Sequence, residues 1–252
     1  MDSDSINTPA PARPLGMTIV FDNYPGLPGL AMLWGFAAVM QTPGGTLLFD
    51  TGSNGRVLLK NMAALNLSPE SIDLLFLSHP HWDHIGGLDS FLEVNPQVTV
   101  VVHEGFSKHL IRDLRTLCRE VLVVNAAPQQ LAPGLFSTGM LDSEPPEHGL
   151  ILDIDGVTAA ISGCAHPGME RIVEQARTFL GKPVHWAIGG FHLMYADAAA
   201  IKSSINALKT LGVDWVVPTH CTGDEAKDAF RQAYGERCLD GGVGRRINFS
   251  QQ

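Results

Sequence analysis

The chain is short of cysteine, of positive charge and of long apolar runs, and each shortage removes a class of protein. Its four cysteines, Cys118, Cys164, Cys221 and Cys238, are widely spaced and form no C-x-x-C pair. That excludes a zinc knuckle and a disulfide framework and fits reduced thiols in a cytoplasm. Seventeen Lys+Arg against 26 Asp+Glu give a net charge of −9, which argues against nucleic acid or an anionic membrane as a general partner. The best apolar stretch, Leu27 to Met40, is short for a bilayer and is broken by Pro28, Gly29 and Gly35. The N-terminus has neither the basic start nor the apolar segment of a signal peptide, so the expected location is the cytoplasm. With Pro9, Pro11 and Pro14, residues 1–15 are expected to be a disordered tail. Residues 16–252, without an internal repeat or an obvious linker, are expected to form a single domain.

What the chain does have is β-type runs alternating with helical patterns. Strands are expected at Met17 to Phe21, Trp34 to Gln41, Thr46 to Phe49, Leu74 to Leu77, Val98 to Val102, Val121 to Val124, Leu150 to Ile154, Val157 to Ile161, Val184 to Ile188, Asp214 to Val217 and Arg246 to Phe249. Pro43-Gly44-Gly45 and Asp155-Gly156 read as hairpin turns. Helices are expected at Val57 to Leu67, Asp83 to Glu93, Phe106 to Leu117, from Gly168 through Leu180, at Asp197 to Leu211 and at Glu225 to Tyr234. The mixture implies a layered α/β architecture.

The chemistry collects just after strands. Ser78-His79-Pro80-His81-Trp82-Asp83-His84 puts three imidazoles and a carboxylate into one short turn behind Leu74 to Leu77. Such a cluster is poor core material, because each polar group needs a partner when buried, but neutral imidazole and carboxylate are good metal ligands. Asp50 follows Leu47-Leu48-Phe49, His166 follows Ile161, and His220 follows Val216-Val217. In layered α/β proteins strand ends share one edge, so these distant residues can converge. His103 reads as a satisfied strand-end imidazole, and His109 and His185 as structural. Cys164 and Cys221 flank the histidines His166 and His220. They read as packing thiols, since neither has an obvious paired base in the sequence.

Asp50-Thr51-Gly52, His79-x-His81-x-Asp83-His84, His166 and His220 resemble, in order, the motifs of the metallo-β-lactamase fold superfamily, over about Met17 to Phe249. Within it, Gly163-Cys-Ala-His166-Pro-Gly168, Gly189-Gly-Phe-His192-Leu193 and Pro218-Thr-His220-Cys-Thr-Gly223 resemble a narrower group named for archaeal dihydropteroate-type synthases. That group joins a pterin unit to a ribofuranosyl-aminobenzene phosphate. The resemblance implies a four-layer αββα sandwich with a two-metal site on one edge. His79, His81 and His166 would hold one divalent ion and Asp83, His84 and His220 the other, with Asp50 orienting a ligand from behind. Zinc is the first expectation for the metal, with manganese and iron as alternatives. The sequence departs from the resemblance at Gly189-Gly190, where dinuclear members carry a bridging Asp. His192 is the candidate to replace that ligand, or else to be structural or to contact substrate.

Three functions are expected in turn. The first is a hydrolase in which metal-bound hydroxide attacks a phosphoester-containing small molecule, with Asp83 and His192 as catalytic residues. The second is a pterin-type synthase whose metals hold a diphosphate or phosphate leaving group. The third is a non-catalytic metal-containing binding module, which the full set of ligands for the first ion argues against. Candidate substrate contacts are His148, Trp34 and Phe191, while Trp82 and Trp186 are further aromatic side chains for a flat pocket.

Overall fold

The architecture follows from strands that are apolar on both faces and therefore need cover on both. In the computed structural model, residues 15–249 are described. The expected disordered tail, residues 1–15, lies outside the described residues except for Leu15, which is buried.

In chain order the elements are β1 (Gly16–Phe21), β2 (Ala37–Thr42), β3 (Gly45–Phe49), α1 (Gly55–Ala64), β4 (Leu74–Phe76), the single turn α2 (Trp82–Ile85), α3 (Leu88–Val94), β5 (Thr99–His103), α4 (Lys108–Leu117), β6 (Glu120–Val124), β7 (Gln129–Ala132), β8 (Leu135–Ser137), β9 (Leu150–Ile154), β10 (Val157–Ser162), α5 (Met169–Leu180), β11 (Trp186–Gly190), α6 (Ala198–Thr210), β12 (Trp215–Thr219), α7 (Asp224–Tyr234) and β13 (Arg246–Asn248). They form a seven-stranded sheet in the order β13-β1-β2-β3-β4-β5-β6 and a six-stranded sheet in the order β12-β11-β10-β9-β8-β7.

Period-two alternation sorts each strand between two cores. Met17, Ile19, Ala38, Met40, Leu47, Phe49 and Phe76 of the first sheet meet Leu150, Leu152, Ala159, Ile161, Ile188 and Val217 of the second. The intervening residues Val20, Val39, Leu48, Leu75, Val100 and Val102 point the other way, onto Leu58 and Met62 of α1, Phe91 of α3 and Leu114 of α4. On the far side, Ile151, Ala160, Ala187 and Val216 pack under Ile172 of α5, Ile205 of α6 and Phe230 of α7. The result is the four-layer αββα sandwich. A one-residue slip in any of these strands would exchange its two faces, so the apolar pattern also fixes register.

Register decides where the loops emerge. The pairs β3/β4, β4/β5, β10/β11 and β11/β12 are parallel, so their C-terminal ends share an edge. Asp50, His79, His166, His192 and His220 all follow those ends.

Several expected boundaries move for steric reasons. The single helix expected from Asp83 to Glu93 is broken into α2 and α3 at Gly86-Gly87. There the chain presses on its neighbour so closely that a Cβ at Gly87 would stand 2.4 Å from the Thr51 carbonyl oxygen. Strand β2 starts at Ala37 rather than Trp34, because Gly35 takes a φ of 137° and turns the chain. That turn leaves Trp34 at the cleft instead of in a sheet. Strand β11 runs on through Gly189 and Gly190, past its expected end at Ile188. Pro218 is accommodated in β12 because β12 is an edge strand of its sheet.

Candidate metal centre

Strand β4 ends at Phe76, and the next residues descend into a buried turn held by Asp50. Asp50 has a φ of 55° and is fully buried. Its Oδ1 accepts the Ser78 backbone N–H at 2.7 Å, and its Oδ2 accepts the Ser78 hydroxyl at 2.7 Å and faces His84 Nδ1 at 2.7 Å. The turn is thus pinned at one point by one carboxylate. Ser78 Oγ also lies 2.9 Å from His79 Nδ1, so His79 and His84 are both fixed through their Nδ1 atoms.

With their backs held, the imidazoles face one another. His79 Nε2 lies 3.1 Å from His81 Nδ1, and His166 Nε2 lies 3.2 Å from that same atom. One ligand atom from each of His79, His81 and His166 falls within 4.8 Å of the others. A neutral imidazole carries one N–H, so three ring nitrogens turned toward a common point cannot all be satisfied by each other. A tetrahedral ion with metal–nitrogen bonds of about 2.0–2.1 Å would hold its nitrogens about 3.3–3.4 Å apart. The observed spacings fit that cation within a few tenths of an ångström. Burial, followed by the charge of neighbouring histidines, drives His79 well below the ordinary imidazole value and His166 down to about 3. Both are therefore neutral, the form that binds a metal.

A second group lies beside the first, with the His79 and His84 rings 4.1 Å apart. Asp83 Oδ2 is 3.3 Å from His220 Nε2 and 3.6 Å from His84 Nε2, and the three residues offer atoms within 4.8 Å of one another. His220, in the left-handed region at φ 50°, turns its Nδ1 to Asn23 Oδ1 at 2.8 Å. That leaves His220 Nε2 buried beside the Asp83 carboxylate without a hydrogen bond of good geometry, an arrangement that costs free energy unless a ligand arrives. Burial opposes charge on Asp83, but the His220 and His84 imidazoles win and hold its carboxyl at about 2. Burial likewise opposes charge on His84, and Asp50 followed by Asp83 overcomes it, raising the ring to about 9.

The loop carrying His166 is held by a residue that the sequence reading missed. Glu147 is fully buried. Its Oε1 accepts the N–H groups of Gly163, Cys164 and Ala165 at 2.9–3.1 Å, and its Oε2 accepts that of His166 at 2.8 Å. Burial outweighs these four bonds and lifts its carboxyl to about 7. In sequence Glu147 is one of two glutamates in a Pro-rich loop, with nothing to separate it from a solvated side chain. Asn23 was missed for the same reason.

The two groups open into a cleft of about 590 Å³ walled by Trp34, Trp82, Met194 and Tyr195, with no Lys or Arg lining it among the described residues. Trp82 is 63% exposed and Tyr195 97% exposed. The Trp34 ring lies 5.0 Å from that of His220. His192 also lines this cleft, its ring 4.4 Å from that of His166. It groups with Cys164 and Cys221 rather than with either histidine set. The neighbouring Cys221 thiol raises the His192 imidazole, so an imidazole stands beside that thiol, which was not apparent in the sequence.

Two expected substrate contacts are corrected. His148 is fully buried behind the histidine turn, with Nε2 2.8 Å from the Leu77 carbonyl oxygen, Nδ1 2.9 Å from Ser137 Oγ and its ring stacked on Phe76 at 4.1 Å. Both nitrogens are occupied, which removes it from the cleft. Phe191 is core, packed on Phe230 at 5.2 Å. Strand β11 continues to Gly190 and turns that ring inward. Trp186, offered as an aromatic wall, is buried between the sheets.

Comparison with known proteins agrees with this fold. A family model described as the metallo-β-lactamase superfamily matches residues 35–220. A 7,8-dihydropterin-6-methyl-4-(β-D-ribofuranosyl)-aminobenzene-5'-phosphate synthase from Methanocaldococcus jannaschii is 32% identical, with the match covering 75% of this chain and 80% of that protein. Among solved structures, a metal-dependent hydrolase of the β-lactamase superfamily aligns with a TM-score of 0.77 at 22% identity, covering 94% of this chain and 100% of that one. A diphosphatase from the PhnP family aligns with a TM-score of 0.62 at 14% identity, covering 94% and 98%. At these identities the two structures share the fold with this chain.

Proposed function

The chain belongs to the metallo-β-lactamase superfamily, and on that footing we propose that it is a metal-dependent hydrolase of a small molecule carrying a phosphoester. The observation that carries the reading is the pair of ligand groups, His79/His81/His166 and Asp83/His84/His220, converging at the floor of one open cleft. In this reading each group holds one divalent ion, zinc before manganese or iron. Such ions lower the pKa of bound water to about 7 and polarise the electrophile.

The chain's own residues do the rest. Asp50, Ser78 and Asn23 fix the rings of His84, His79 and His220 from behind, so the ligand atoms are set before substrate arrives. Asp83, which lines the cleft, orients the attacking water or accepts its proton. His192 stands on the same wall beside His166, and in this reading it donates a proton to the leaving oxygen. No Lys or Arg lines the cleft among the described residues, so in this reading the ions and the histidines carry the positive charge that meets a phosphate.

The test is metal analysis of protein reconstituted with zinc, manganese or iron. It is followed by an activity screen over phosphomonoesters, phosphodiesters, cyclic nucleotides and lactones. Stoichiometric metal and turnover that vanishes in His81→Ala are expected. Absence of bound metal, or equal turnover in the variant, overturns the reading.

A second reading is favoured by the aromatic walls. Trp34, Trp82 and Tyr195 give the cleft the flat apolar faces that a fused heteroaromatic ring would stack on, and the archaeal relative is named as a pterin-type synthase. Product formed from a pterin diphosphate and an aminobenzene acceptor, without competing hydrolysis, would decide for it.

A further inference from the structure

Strand β11 brings no carboxylate to the two histidine groups, and its backbone explains why. Gly189 has a φ of 119°, and a Cβ there would stand 2.1 Å from the Ser162 carbonyl oxygen. A Cβ at Gly190 would stand 2.5 Å from the Gly163 carbonyl oxygen and 2.6 Å from Cys221 Sγ. What faces both groups instead is sulfur. Cys164 Sγ lies 3.3 Å from His84 Nε2, and Cys164, His84 and His79 present ligand atoms that all fall within 4.8 Å of one another. The thiol therefore reaches one nitrogen from each group.

Its setting differs from that of a packing thiol. Cys118 turns its sulfur to the carbonyl oxygens of Leu114 and Glu120. Cys164, 4% exposed, turns its sulfur to an imidazole nitrogen and toward a second sulfur, on Cys221. A tetrahedral ion bonded to an imidazole at about 2.0–2.1 Å and to a thiolate at about 2.3 Å would hold nitrogen and sulfur about 3.5 Å apart. The 3.3 Å spacing between Cys164 and His84 matches that geometry.

We propose that Cys164 is a ligand of the metal centre, its sulfur facing both histidine groups in the place of a bridging carboxylate, with Cys221 and His192 ranged behind it. On binding, the S–H bond breaks, the proton leaves to solvent and a sulfur–metal bond forms, so the thiolate cancels one positive charge between the ions. Sulfur ligation would also tilt the site toward zinc or iron and away from manganese. The inference rests on the metal-binding reading of the proposed function.

The test uses the full-length protein stripped of metal and reloaded with cobalt(II) alone. Wild type should show a near-ultraviolet sulfur-to-cobalt charge-transfer band beside the visible ligand-field bands. Cys164→Ser should lose most of that ultraviolet band while keeping the visible bands, and Cys221→Ser should keep both. Cobalt bound without the ultraviolet band in wild type, or a band that survives Cys164→Ser, overturns the assignment of Cys164 and leaves the metal reading standing. Failure to bind cobalt at all overturns the proposed function and this inference with it. Should Cys164→Ser not fold, zinc-edge X-ray absorption on Cys221→Ser, where the other sulfur beside the centre is removed, reads the same bond. A sulfur shell at about 2.3 Å is the expected result, and a shell of nitrogen and oxygen only refutes it.

Discussion

Asp50 Oδ2 lies 2.7 Å from His84 Nδ1, and both side chains are fully buried. The contact fixes the imidazole with its Nε2 turned to Asp83, so one carboxylate at the end of β3 sets the aim of a candidate ligand on α2. Asp50→Asn keeps the shape but replaces a charged acceptor that also holds Ser78 twice. Metal affinity should fall about 10- to 100-fold, read by competition against a chromophoric chelator. Asp50→Ala should in addition cost about 3–5 kcal/mol in denaturant unfolding, because it strands a buried partner. Unchanged affinity in Asp50→Asn would remove Asp50 from the centre.

Glu147 plays the corresponding part for the second sheet, accepting four backbone N–H groups of the loop that carries His166. In Glu147→Gln an amide nitrogen must face one of those donors. A loss of about 1–3 kcal/mol is expected from the unsatisfied groups, together with weaker binding at the His79/His81/His166 position. His166→Ala should weaken that position without a stability loss of the same size. Urea melts and metal stoichiometry on the two variants separate anchoring from ligation.

The contrast between Asp50 and Glu147 shows what a sequence can and cannot disclose. The layered fold was legible because Leu47 to Phe49 and Leu74 to Leu77 are apolar on both faces, which demands cover above and below. The convergence of Asp50, the histidine turn, His166 and His220 was legible because each follows a strand, and parallel strands share an edge. Glu147 and Asn23 were not legible, since their roles come from long-range packing that brings an ordinary loop residue to a buried N–H or imidazole. His148 and Phe191 misled for the opposite reason. A loop position and a strand end suggest exposure, yet the Leu77 carbonyl and the Phe230 ring take them inward.

The glycines of β11 offer a test of packing alone. At Gly190 the room that a side chain would need is already held by the Gly163 carbonyl and Cys221 Sγ. Gly190→Ala should destabilise the protein by about 1–3 kcal/mol or more through overpacking. Gly190→Asp, which restores a carboxylate in sequence, should bind metal no better than wild type. Thermal melts and metal titration report the two effects. A Gly190→Asp protein with tighter metal binding and an unchanged melting temperature would show that the strand can shift to admit a side chain.

His103 gives the acid limb of stability a specific source. Its ring is fully buried, accepts the Gly105 N–H on Nδ1 at 3.1 Å, and packs against Phe106 and His148 with ring centroids 4.7 and 5.0 Å away. Its Nε2 makes no hydrogen bond of good geometry, and burial, only partly offset by the nearby Pro146 and Ser78 carbonyls, pushes the group down to about 4. In the unfolded chain it titrates near 6.5. Above about pH 6.5 both states are neutral and His103 exerts no pH dependence. Between about 6.5 and 4 the unfolded chain takes up a proton that the folded protein refuses. Stability should therefore fall with pH across that window, at up to about 1.4 kcal/mol per pH unit from this residue. His103→Asn keeps an acceptor for Gly105 and removes the titration. In metal-free protein, where the other histidines are common to both, the variant's unfolding free energy should decline less steeply between pH 6.5 and 4 than that of wild type. Equal slopes would show that His103 is not the group taking up that proton.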